Sequence, residues 1–147
     1  MHIKKILPLP LFLLLLFIGI ELSSTTSHSQ PTEQGITFFE GNLNQALAQA
    51  EKDQKLVFLD IYAVWCGPCK RLKATTFKDA AVGEYFKKRF VSIAIDGEKG
   101  EGPALAQKLK LTAYPTLYVL DAKGNVVRKM VGFRTPEQLL AEVKMLE

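Results

Sequence analysis

The sequence predicts an α/β fold in which a central mixed sheet is covered by helices on both faces. Three observations predict it. Helical and strand patterns follow one another in the order αβααβαββα, which layers helices over a sheet. The run Leu56–Tyr62 is apolar almost throughout and does not alternate, as expected of a central strand buried on both faces. Towards the C-terminus, two β-rich runs flank Asp121-Ala122-Lys123-Gly124-Asn125, the pattern of an antiparallel hairpin.

Composition bounds the rest. The chain has 147 residues, 48% hydrophobic and 23% charged, enough for one domain with a sizeable core and no covalent staples. A net charge of +4 with acidic and basic residues interspersed excludes a dedicated nucleic-acid binder. The clusters Lys70-Arg71-Lys73 and Lys87-Lys88-Arg89 read as solvated helix faces. Residues 1–29 stand apart. A basic start (His2, Lys4, Lys5) precedes an apolar stretch over residues 6–20, then a Ser/Thr-rich tail, the order of a secretory signal. Those 15 apolar residues fall short of the ~20 that span a bilayer. Cleavage is therefore expected, with retention as an inner-membrane anchor the alternative. Residues 30–36 read as linker and 37–147 as the folded domain, lying outside the cytoplasm where disulfides persist.

Within the domain, Leu43, Ala46, Leu47 and Ala50 recur at helical spacing over Leu43–Asp53, with Asn42 or Asn44 as cap. The strand Leu56–Tyr62 follows. Its Asp60 is an anomaly: a carboxylate in a buried strand costs several kcal/mol unless neutral, partnered or functional. The duller account turns it outward near the strand end. Residues 70–76 contain no helix breaker. A further helix runs from an Asp79 cap to Arg89, and Phe90–Asp96 is a second strand. Residues 97–102, with three glycines among charges, form a surface loop without the Gly-Lys-Ser/Thr of a phosphate cradle. Pro103 opens a short helix to Leu109. Strands follow over 117–120 and Val126–Val131. Thr135-Pro136-Glu137-Gln138 then supplies a capping box for a last helix turning Leu139, Leu140, Val143 and Leu146 inward.

Between the first strand and its helix lies Trp65-Cys66-Gly67-Pro68-Cys69-Lys70, holding the chain's only cysteines. A disulfide across so short a loop adds little stability, so the pair is reactive or metal-binding. One such pair supplies two ligands where a closed zinc site is four-coordinate, and no second pair or folded-region histidine completes it. Redox work remains. At a helix start, unpaired N–H groups and the helix dipole lower a thiol's pKa from ~8.5 towards roughly 3.5–7.5. Cys66 is placed to attack a partner disulfide, and Cys69, one turn on, to resolve the mixed disulfide. Gly67 admits close backbone approach, and Pro68 fits a first turn that does not need its N–H. Resolution requires a base, and Asp60 is the carboxylate placed to supply one.

The run from Phe58 to Lys70 resembles the active-site strand and turn of the thioredoxin family, and Tyr114-Pro115-Thr116, about 45 residues on, resembles its cis-proline loop. Thr75-Thr76-Phe77-Lys78-Asp79 and Val131-Gly132-Phe133 resemble the branch that includes the C-terminal periplasmic domain of a transmembrane disulfide reductase. The Gly-Pro between the cysteines is that of thioredoxin itself. The resemblance covers residues 37–147 and implies a thioredoxin fold. It further implies Cys66 as an exposed nucleophile, Cys69 as a buried resolving thiol and Asp60 as the buried acid. Trp65 would flank the site, Pro115 would be cis, and the Tyr114 backbone would pair with an extended substrate. The lysine that often accompanies the buried acid would fall near Ser92, which carries no charge. Tyr62 and Tyr118 read as core.

The expected function is thiol–disulfide oxidoreduction on protein substrates. The chain would act as a monomer without cofactor or metal, most readily as a reductant recharged by a membrane-linked electron donor. An oxidase or isomerase is the alternative within the class, and a binding or chaperone module the alternative outside it.

Overall fold

The computed structural model describes residues 35–146. The expected signal segment and most of the linker lie outside the described residues. Among those described, no helix is long and apolar enough to cross a membrane.

The elements are α1 (Leu43–Asp53), β1 (Leu56–Tyr62), α2 (Gly67–Ala74), a 3-10 turn (Thr76–Lys78), α3 (Ala80–Arg89), β2 (Phe90–Asp96), α4 (Gly102–Lys108), β3 (Thr116–Leu120), β4 (Val126–Val131) and α5 (Pro136–Lys144). The sheet order is β2-β1-β3-β4. β1 runs parallel to β2, with Leu56 opposite Phe90, and antiparallel to β3, with Asp60 opposite Leu117. β3 and β4 form the expected hairpin. The mixed sheet with helices on both faces is thus as the patterns require.

β1 is central because its residues satisfy two cores at once. Val57, Leu59 and Ile61 face one side, where Ala46 and Ala50 of α1 and Ile93 of β2 meet them. Phe58 faces the other, among Leu72 of α2, Val82 and Phe86 of α3, and Leu139 and Val143 of α5. Its ring stands edge-on to Phe77 at 6.0 Å and to Phe86 at 4.8 Å, and Phe90 lies at 6.3 Å. This aromatic cluster is why α2, α3 and α5 converge on one face.

Caps set the helix limits. Asn42, not Asn44, caps α1: its side chain accepts the Gln45 N–H at 2.9 Å while Gln45 accepts the Asn42 N–H at 3.0 Å. Thr135 and Gln138 do the same for α5. In α5, Leu139 and Val143 are buried, whereas Leu140 and Leu146 are half-buried at its flanks. α2 starts at Gly67 with Cys66 as its N-cap, the helix start expected at the cysteine pair. It stops at Ala74, where Thr75 turns its hydroxyl back onto the Arg71 carbonyl at 2.8 Å and Thr76 donates to the Arg134 carbonyl at 2.6 Å. The chain tightens there into the 3-10 turn.

Truncating the ring at the centre of the aromatic cluster tests this packing. Phe58→Ala is expected to lower the unfolding free energy by about 3–5 kcal/mol in a urea titration. A loss below about 1 kcal/mol would show that the cluster does not hold the three helices.

Candidate active site

The site forms where β1 ends and α2 begins. Strand burial carries the chain to Ala63, and the N–H of Cys66 turns back to the Ala63 carbonyl at 3.1 Å. Cys66 then takes extended backbone angles as the N-cap of α2, with Gly67 and Pro68 as its first helical residues. The Cys66 sulfur accepts the Cys69 N–H at 3.2 Å, so an orphan donor of the helix start points at it. Cys66 and Cys69 are joined as a disulfide, with Cα atoms 5.3 Å apart.

One expectation is corrected here. Cys66, expected to be the exposed member, is itself buried: it is 2% exposed against 4% for Cys69. Its side chain folds back over the first turn to meet Cys69, and Tyr62 and Tyr114 pack against the pair. In the disulfide state both cysteines are buried residues.

Asp60 lies on the Phe58 face of β1, because alternate residues share a face, and is 2% exposed. The account in which it turns outward is therefore excluded. Its Oδ1 is buried without a hydrogen-bond partner among the described residues. Burial pushes the carboxyl up from its usual range to about 7, with the Lys73 charge pulling the other way. Ser92, where a partner cation was sought, sits opposite Phe58, is buried and brings no charge.

Trp65 stands 65% exposed beside the disulfide. Its indole N–H donates to the Glu98 carboxylate at 3.0–3.1 Å, and its ring meets Tyr114 edge-on at 5.9 Å. The Tyr114–Pro115 bond is cis. The Pro115 carbonyl accepts the Gly132 N–H at 2.8 Å, which ties the proline loop to the end of β4. Gly97 holds the opposite wall: its N–H reaches the Tyr62 carbonyl at 2.8 Å, and a Cβ there would come within 2.6 Å of the Tyr114 ring. A shallow groove runs away from the disulfide between Trp65, Gln107, Leu111, Thr112 and Tyr114.

Of the eight sequence-predicted residues, Trp65, Cys66, Gly67, Pro68 and Cys69 form this helix start. Tyr114 packs against the cysteine pair and precedes the cis Pro115, and Asp60 lies buried within β1. Three neighbours escaped sequence reading. Glu98 sits in a charged loop that gave no sign of facing Trp65. Tyr62, read as core, is half-buried and borders the disulfide, while Tyr118 is core as expected and donates to the Leu109 carbonyl. Lys73, assigned to a solvated face, places its Nζ 4.6 Å from the Tyr62 ring centroid. Its i, i+4 spacing from Cys69 was the available signal.

A close cysteine pair capping the helix after a doubly buried strand, with a cis-proline in the same fold, defines the class of thioredoxin-fold thiol–disulfide oxidoreductases. Residues 43–147 match the model of the thioredoxin-like domain, and the chain belongs to that family. Over 108 residues it is 32% identical to the thiol:disulfide interchange protein DsbD of Tatumella citrea, an alignment covering 71% of this chain and 18% of that protein. The chain spans about a fifth of the length of the DsbD proteins it matches. Among solved structures, it is 45% identical to a candidate disulphide-isomerase from Bacteroides thetaiotaomicron, with a TM-score of 0.69 over 76% of this chain and 93% of that one. The reduced C-terminal domain of Neisseria meningitidis DsbD superposes with a TM-score of 0.60 at 28% identity, covering 71% of this chain and 94% of that domain.

The raised carboxyl of Asp60 has a consequence for stability. A group protonated more readily when folded contributes stability that is fully present below its unfolded value near ~4 and is lost as pH rises through about 7. The oxidised protein is therefore expected to lose on the order of 3 kcal/mol between pH 4 and pH 8 relative to Asp60→Asn, measured by denaturant unfolding. Parallel stability curves for the two proteins would contradict the burial of an ionisable Asp60.

Proposed function

We propose that this chain reduces disulfides of protein substrates outside the cytoplasm, cycling Cys66 and Cys69 between dithiol and disulfide. The observation that carries the reading is the Cys66 sulfur at the N-cap of α2, accepting the Cys69 N–H. The same N–H and the helix dipole favour a thiolate at Cys66 in the reduced form.

In the reaction, the Cys66 thiolate attacks one sulfur of the substrate disulfide. That S–S bond breaks, a mixed disulfide forms, and the first substrate thiolate leaves. Cys69 then gives its proton to the Asp60 carboxylate and attacks the Cys66 sulfur, releasing the second substrate thiolate. Two electrons pass to the substrate, and the chain is left with the Cys66–Cys69 disulfide. With its midpoint near 7, Asp60 is present in both forms at neutral pH, as a proton acceptor must be. Trp65, Tyr114 and the cis Pro115 form the substrate-facing wall, where the Tyr114 backbone receives an extended segment as an added strand. Gly67 and Pro68 give the turn its shape without side chains that obstruct approach.

The likeness to DsbD supports the reductive direction, and with it a membrane-linked donor that returns electrons to the disulfide. Residues 1–29 act as the export signal, or residues 6–20 as an inner-membrane anchor, ahead of a linker over 30–36 and a monomeric domain over 37–147. A second direction, disulfide isomerisation, is favoured by the 45% identity to the candidate disulphide-isomerase from Bacteroides.

Purified protein is expected to reduce insulin disulfides with dithiothreitol as donor, and Cys66→Ser to lose at least about a hundredfold of that rate. Equal rates would remove the enzyme reading. Cys69→Ser is expected to accumulate mixed disulfides with exported proteins on non-reducing gels. A couple as oxidising as about −120 mV would overturn the reductive direction.

A further inference from the structure

We infer that Lys73 is a positioning residue for proton exchange at Asp60, its ammonium held against the Tyr62 ring to supply the counter-charge that the sheet around Asp60 lacks. The inference rests on the reading of Asp60 as proton acceptor and adds the group that makes its carboxylate form accessible.

The geometry is a two-by-two arrangement. Cys69 and Lys73 stand one turn apart on α2, so they share a helix face. Asp60 and Tyr62 alternate onto one face of β1. Tyr62 packs against the disulfide pair, and the Lys73 Nζ lies 4.6 Å from the centre of its ring, within the ~6 Å over which a ring face attracts a cation. The ring thus fixes where an otherwise mobile, exposed ammonium sits.

The surroundings of Asp60 explain why that position matters. Across β2 it meets Ala94 in register, with Ser92 two residues away and Asp96 opposite Tyr62. Across β3 it meets Leu117, and Met130 of β4 and Leu139 of α5 close the same apolar cluster. On α2, Leu72 belongs to the same cluster. These are neutral or, at Asp96, negative; burial first, then the Asp96 and Asp60 charges, push the Tyr62 phenol up. Lys73 is the cation whose charge acts on Asp60 among the described residues. When Cys69 loses its proton to Asp60, the S–H bond breaks, the carboxylate becomes a neutral acid, and the Cys69 thiolate breaks the mixed disulfide at Cys66. Lys73 favours the carboxylate that starts this exchange and the thiolate that ends it.

Lys73→Met, Lys73→Arg and the unaltered protein are compared by two measurements. The first is the titration of Asp60 in the oxidised protein, followed by carboxyl carbon NMR. The second is the pH profile for release of the second nitrothiobenzoate equivalent when the reduced protein meets dithiobis(nitrobenzoate), the equivalent that reports Cys69 attacking the mixed disulfide on Cys66. Lys73→Met is expected to raise both midpoints by about half a unit to one unit, and Lys73→Arg to restore them. An unmoved Asp60 midpoint in Lys73→Met overturns the coupling, as does an equal shift in Met and Arg, which would mark a packing effect. An Asp60 midpoint that moves while the release profile stays fixed also overturns the inference, but by a different route: Lys73 then senses Asp60, and Asp60 does not take the proton.

Discussion

A helix that begins at a cysteine presents its first orphan N–H groups to sulfur, and everything around this site follows from meeting that condition. The sulfur is a weak acceptor as a thiol or disulfide and a strong one as a thiolate, since hydrogen bonds to charged acceptors are roughly twice as strong as neutral ones. The Cys69 N–H at 3.2 Å from the Cys66 sulfur therefore waits, in the oxidised form, for a charge that appears on reduction. For the cap to sit at that place, β1 must deliver the chain to it rigidly. That is why the strand before it is buried on both faces and anchored by aromatic packing rather than by surface contacts.

The same requirement creates the strained chemistry behind the cap. A strand with no solvent face has no comfortable place for a carboxylate, yet Asp60 sits in it with a buried, unpartnered oxygen. The fold tolerates this by keeping the group protonated up to about pH 7, at a cost in stability that builds as pH rises from about 4 to about 7. In the proposed reaction, replacing it with an amide would remove both the pH-dependent cost and the acceptor of the Cys69 proton. Stability and turnover pull this one residue in opposite directions.

How much of this was readable in the sequence depended on the range of the interaction. β1 was legible because its apolar run is local, and so was the capping box at Thr135, where partners are three residues apart; at α1 the choice between Asn42 and Asn44 stayed open. The cysteine pair, its helix and the proline loop were legible by motif. The end of α2 at Ala74 was not, since it depends on Thr76 reaching the distant Arg134 carbonyl. Cys66 was expected in the open and lies buried, because its exposure depends on how Tyr62 and Tyr114 close over it. Glu98 and Lys73 were missed for a related reason. A charged residue in a loop or on a helix looks solvated until the fold shows which ring it faces.

The tie between the Gly132 N–H and the Pro115 carbonyl makes the site a product of both ends of the domain. The reactive pair is synthesised some 45 residues before the proline that borders it, and the glycine that fastens that proline follows later still. During synthesis the two thiols therefore exist before the wall that borders them. Selectivity for partner disulfides is a property only of the finished domain, acquired when its last hairpin closes.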